Sequence, residues 1–142
     1  MNSYYELKQK QQKEFNDFPI AFAFSEEQFN EGMRKLGLKP TDTDKVYKIG
    51  FNGFIRKTDS AAFAEMTKRH GLEMEQAIAG DETGDGFIYD MFRYELDNHE
   101  FGYTWELEPT LEALGLTMEE IEADARLKHG LEKAIKETKT DW

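Results

Sequence analysis

Apolar positions recur at helical spacing along most of the chain and at strand spacing in only a few short runs. The clearest helix is Phe87 to Asn98. There Phe87, Ile88, Met91, Phe92 and Leu96 form one wide apolar face opposite Asp90, Arg93 and Asp97. Phe29, Met33 and Leu36 lie at i, i+4 and i+7, predicting a helix opened by the capping box Ser25-Glu26-Glu27-Gln28 and ended at Gly37. Ser3-Tyr4-Tyr5-Glu6 reads as another capping box, with Ser3 at N-cap and a helix running to about Asn16. Thr58-Asp59-Ser60 starts a long helix to about Ala79, with Gly71 as its expected point of interruption. Three short helices are expected at 108–114, 117–123 and 125–138, the second opened by Thr117 with Glu120.

Strand signals are fewer. Pro19 is followed by the apolar run Ile20-Ala21-Phe22-Ala23-Phe24. Lys45 to Ile49 and Phe54 to Lys57 form a hairpin pattern joined by Gly50-Phe51-Asn52-Gly53, in which Asn-Gly is the turn signal. Phe101 to Trp105 alternates apolar and small or polar residues, as a short strand would. The order of elements predicts a helix-rich α+β fold in a single domain, residues 1–142, with a small, mainly antiparallel sheet and an all-helical part at about 106–140.

Composition removes several chemistries. The chain has no cysteine, which excludes disulfides, thiolate metal sites and cysteine nucleophiles. No apolar run reaches the ~20 residues of a membrane span, and Met1-Asn2-Ser3-Tyr4-Tyr5-Glu6 is not a basic-then-apolar leader. A soluble, cytoplasmic protein with no membrane partner is expected.

Charge changes the picture more. Residues 1–80 are balanced at 12 acids and 12 bases, and residues 125–142 carry a net +2. Residues 81–124 hold 14 acids against the single base Arg93, a net −13 within a chain of −11. Such a segment repels nucleic acid and attracts basic partners.

Familiar motifs are near misses. Asp81-Glu82-Thr83-Gly84-Asp85-Gly86 places oxygen ligands and a glycine as a calcium loop would, but position 12 is Phe92 instead of a bidentate Glu. An interhelical turn is the better reading, and no metal is assigned. Thr110 to Asp124 has a helix-turn-helix outline, yet its second helix carries four acids and no base, so direct nucleic-acid binding is not expected. His70, His99 and His129 are isolated, and no phosphate-binding, dinucleotide or nucleophile-elbow motif occurs. No catalytic residue and no cofactor is assigned. Aromatics crowd the acidic stretch instead, and Tyr89, Tyr94 and Trp105 combine apolar bulk with a polar handle suited to an interface. The candidate partner-binding residues are Asp81, Glu82, Asp85, Asp90, Asp97 and Glu100 with Tyr89, Tyr94 and Trp105.

Phe22-Ala23-Phe24-Ser25-Glu26-Glu27-Gln28-Phe29, Gly53-Phe54-Ile55-Arg56-Lys57-Thr58, Gly84-Asp85-Gly86-Phe87-Ile88-Tyr89-Asp90-Met91-Phe92 and Ala113-Leu114-Gly115-Leu116-Thr117-Met118-Glu119-Glu120-Ile121 carry a resemblance. The chain resembles a family of small, uncharacterised acidic proteins of phages and integrative elements of gut Firmicutes. The resemblance implies a genomic setting and no activity. Mobile elements of that kind encode small acidic inhibitors of host nucleic-acid enzymes, anti-CRISPR proteins among them. The expectation is therefore a non-enzymatic protein whose acidic surface occupies the basic, nucleic-acid-binding groove of a partner as a DNA mimic. The alternatives are a structural or regulatory accessory of the element that is acidic for solubility, and, third, a metal-dependent enzyme using Asp81, Asp85 or His99.

Overall fold

The computed structural model describes the backbone of residues 1–141 and the side chains of residues 1–138. The helical periods become α1 (Ser3–Asp17), α2 (Glu26–Lys35), α3 (Ser60–Ala79), α4 (Phe87–Asn98), α5 (Phe101–Thr104), α6 (Glu108–Leu114), α7 (Met118–Glu122) and α8 (Ala125–Asp141). The strands are β1 (Ala21–Phe22), β2 (Val46–Gly50) and β3 (Gly53–Arg56), antiparallel in the order β1-β3-β2. The architecture is helix-rich α+β. Its residues group into two compact units, 11–72 and 1–10 with 73–142. None of the helices among the described residues is long and apolar enough to cross a membrane.

The 11–72 unit is built on the sheet. Alternation along β1 and β3 sends Ala21 and Phe54 to one face, where they bury with Met33 of α2 and with Leu36, which caps that helix. Gly32 permits this approach, since a Cβ there would come within 2.8 Å of the Phe54 ring and 2.9 Å of the Ala21 Cβ. Strand β1 is shorter than the five-residue run predicted. After it the chain turns into the cap of α2, where Ser25 Oγ accepts from Gln28 N at 3.2 Å and Gln28 Oε1 accepts from Phe24 N at 2.8 Å. The hairpin closes one residue earlier than the Asn-Gly signal implies. Gly50 pairs with Gly53, so Phe51 and Asn52 are the central turn residues, with φ of 50° and 63°. Gly50 itself takes φ 97°, and the register shifts between it and Lys48.

The other unit packs α4 against α8. Ile88, Met91, Phe92 and Leu96 of α4 are at most 1% exposed, and they meet Leu127, Leu131 and Ala134 of α8 in one core with Tyr4, Phe101, Leu111 and Ile121. Two glycines bring the backbones together. A Cβ on Gly130 would sit 2.6 Å from Ile88 Cγ2 and 2.8 Å from the Gly84 carbonyl, and one on Gly84 would overlap the Arg126 carbonyl.

Three local expectations are corrected. Phe101 to Trp105 is not a strand. Its alternation has no neighbouring strand to pair with, and the segment closes a helical turn in which Trp105 N donates to Phe101 O at 2.9 Å. Helix α3 runs unbroken through Gly71. At the start of α1, Asn2 rather than Ser3 caps, its Oδ1 accepting from Tyr5 N at 2.8 Å, because Asp90 takes both the Ser3 backbone N–H and its hydroxyl. The capping box of Thr117 with Glu120 is formed as predicted.

Candidate functional site

The acids of residues 81–124 divide sharply by what they touch. Asp81 lies at the start of the α3–α4 connection and turns inward on its own loop. Its Oδ1 accepts from Gly84 N at 2.9 Å and Thr83 N at 3.3 Å, and its Oδ2 from Ile88 N at 2.9 Å and Gly86 N at 3.0 Å. Burial acts to raise its pKa, but the combined backbone N–H groups outweigh it and hold the carboxyl below its ordinary value. This loop, which resembles a calcium loop in sequence, is an N-terminal cap for α4 that uses both carboxylate oxygens.

The next acids are matched by cations or donors. Asp85 accepts from His129 Nε2 at 2.7 Å and Lys133 Nζ at 3.3 Å, and these two bonds lower its pKa. One turn on, Lys133 Nζ lies 4.6 Å from the centre of the Tyr89 ring, while the Tyr89 hydroxyl donates to Glu137. Burial first, then that bond, pushes the Tyr89 pKa up to about 12. Asp90 accepts from Ser3 Oγ at 2.6 Å and Ser3 N at 2.8 Å, so it is half-buried instead of lying on an open helix face. Asp97 pairs with Arg93 at 3.4 Å. Tyr94 stacks at 5.6 Å from Tyr4 and 5.5 Å from Tyr5 and belongs to the core. Glu95, on the buried side of α4, accepts from Tyr4 OH at 2.9 Å and Asn98 Nδ2 at 3.3 Å. Further along, Glu122 meets Lys128 at 3.2 Å and Asp124 meets Arg126 at 3.0 Å.

What is left over lies elsewhere. Glu82, Glu100, Glu106, Glu108, Glu112 and Glu119 are exposed, and their side chains have no partner among the described residues. Four of them cluster on the segment from the end of α4 through α6. Glu106, Glu108 and Glu112 line an open cleft of about 450 Å³ with Leu107 and Pro109. The same segment carries Tyr103, 75% exposed, and Trp105, 61% exposed. Glu100 and Trp105, at either end of α5, hold φ of 57° and 61°, a conformation that costs non-glycine residues about 1 kcal/mol or more.

Of the residues chosen from sequence, the structure leaves the Glu82 and Glu100 side chains without a partner, sets the 61%-exposed Trp105 ring 6.2 Å from that of Phe101, and commits Asp81, Asp85, Asp90, Asp97, Tyr89 and Tyr94 to contacts within this unit. Tyr103, Glu106, Glu108 and Glu112 were missed. A signal for them exists: between Arg93 and Arg126 the chain has no lysine or arginine, so acids in the middle of that run have no local cation to meet. Chemically, carboxylates around Leu107 and Pro109, on a segment that also carries two exposed aromatic rings, suit guanidinium and ammonium groups. Residues 3–137 match the model of a family described as a family of unknown function, DUF7659. No curated protein and no solved structure matches the chain.

Proposed function

The chain belongs to the DUF7659 family of unknown function, and we propose that it acts as a non-enzymatic interaction protein that docks an acidic, aromatic-flanked surface into a basic groove of a partner. The observation that carries this reading is the contrast between matched and unmatched acids. Aspartates 81, 85, 90 and 97 are used up in capping and pairing, whereas Glu100, Glu106, Glu108 and Glu112 stand unpaired beside Tyr103 and Trp105. A surface that served solubility alone would be expected to scatter its free charge. Here free charge and large exposed rings coincide, the composition that protein contacts favour at centre and rim.

In its sharpest form the partner is a nucleic-acid-binding protein whose groove ordinarily receives phosphates, and the carboxylates stand in for them. The resemblance to phage and integrative-element proteins supports an anti-defence inhibitor of this kind, such as an anti-CRISPR protein. Dense negative charge along a groove is what such a partner recognises, and the base-free run of residues 94–125 supplies it. The competing reading, an accessory protein that is acidic for solubility, does not account for the exposure of Tyr103 and Trp105 on the segment that carries the unpaired glutamates. The enzyme reading is weakest, since both oxygens of Asp81 already accept backbone N–H groups.

The experiment is a triple reversal, Glu106→Lys, Glu108→Lys and Glu112→Lys, measured against a captured partner by surface plasmon resonance over a salt series. Wild-type association should slow as salt rises, and the reversal should weaken binding by about 1 kcal/mol or more per close charge. The control is Lys133→Glu with Lys136→Glu, which should not weaken binding. Unchanged affinity and salt dependence in the triple variant would leave solubility as the role of these acids.

A further inference from the structure

The 11–72 unit carries a feature of the opposite sign. From Lys45 to Thr58 the chain has four bases and no acid, in a protein of net −11. This stretch is the β2–β3 hairpin with Lys45 before it and Lys57 and Thr58 after it. Two of its bases are occupied, Lys45 by Asp42 at 3.7 Å and Arg56 by Asp59 at 2.7 Å. Lys48 and Lys57 have no carboxylate partner among the described residues, and Lys57 Nζ instead lies 5.0 Å from the centre of the Tyr47 ring. Tyr47 is 49% exposed and, paired with Ile55, lies on the sheet face opposite Phe54.

At the hairpin tip stands Phe51, 96% exposed and at φ 50°. Both properties are unfavourable. A two-residue turn of this hand selects Gly, Asn or Asp, and a fully hydrated phenyl ring contributes nothing to folding. Strain that buys no packing in the free protein points to a role in binding. Phe22 adds a second exposed ring at this end, its Cε1 lying 3.0 Å from where a Cβ of Gly53 would stand.

We propose that this hairpin is a binding site for single-stranded nucleic acid, with Phe51 and Tyr47 as stacking platforms and Lys48 and Lys57 meeting backbone phosphates. Exposed aromatic rings at a hairpin whose two faces each carry a lysine with no carboxylate partner, Lys57 beside Tyr47 and Lys48 on the Phe54 side, are what an unpaired strand needs, because bases stack without regard to sequence while the cations follow the backbone. A duplex hides its base faces and cannot use the rings.

The test is fluorescence anisotropy of the full chain with a labelled oligothymidine of about 12 nucleotides, starting at about 50 mM salt. Binding should be at least about tenfold tighter than to a duplex of the same length, with a log–log salt slope near −1.4 for two phosphates. Phe51→Gly and Tyr47→Ala should each weaken it about five- to hundredfold. Phe51→Gly relieves the turn, so its melting temperature should not fall and loss of binding cannot be ascribed to unfolding. Lys48→Glu is the second, fold-neutral variant and should weaken binding further at low salt. Absence of binding at the lowest salt overturns the proposal. So does binding that survives Phe51→Gly and Tyr47→Ala, or equal binding of polyglutamate or phosphatidylserine vesicles.

Discussion

Asp81 accepts four backbone N–H groups with two oxygens and so closes the turn into α4 by itself. Asp81→Ala should therefore destabilise the protein by about 2 kcal/mol, the upper range for loss of a cap, in a urea titration. Asp81→Asn, which keeps one acceptor oxygen, should cost less. Because the folded-state pKa lies below the ordinary 3.8, this contribution is fully present above that value. It is lost as pH falls through the folded-state pKa, so the stability advantage of the wild type over Asp81→Ala should shrink on acidification below that value in urea titrations at a series of pH values. Tyrosine works in the opposite direction. Tyr4 and Tyr89 are both held protonated in the fold, by burial first and then by Glu95 and Glu137. Unfolded tyrosines ionise at the ordinary 10.0, so stability should decline as pH rises above that, and Tyr4→Phe should remove part of the decline. At neutral pH the same substitution takes a donor from the buried Glu95 and should cost about 1–3 kcal/mol by thermal melting.

Among the elements, α4 and α8 depend on two glycines for their separation. Gly130→Ala would drive a methyl group into Ile88 and the Gly84 carbonyl, and should cost about 1–3 kcal/mol of stability in denaturant unfolding. Gly71→Ala, on the open face of α3 with nothing within 4 Å, should instead stabilise by about 0.5–1 kcal/mol. The contrast marks what sequence could and could not convey. Helices with a strong apolar period or a local capping box were legible to within a residue or two, as in α4 and α7. Period alone failed at Phe101–Thr104, where alternating rings looked like a strand that had no pairing edge. It also failed at α1, whose cap was displaced by Asp90 from 87 residues away. Long-range hydrogen bonds leave no local pattern. For the same reason the charge total of residues 81–124 was readable, while the division into paired and free acids required knowing that His129, Lys133 and Ser3 come to meet them.

For the molecule as a whole, charge follows the two units. Residues 11–72 contain nine acids and ten bases, whereas residues 1–10 with 73–142 contain 20 acids and eight bases. Partner binding by the acidic unit should fall steeply with ionic strength, since exposed charges beyond about 10 Å are screened at 0.1 M salt. The most direct measurement of the central claim is quantitative capture from a cell lysate with three baits: wild type, the Glu106/Glu108/Glu112 reversal to lysine, and the Lys133/Lys136 reversal to glutamate. The account predicts nucleic-acid-binding proteins on the wild-type and Lys133/Lys136 baits, released by excess duplex DNA and absent from the Glu106/Glu108/Glu112 bait. Equal capture by all three baits, or capture that duplex DNA does not displace, would contradict it.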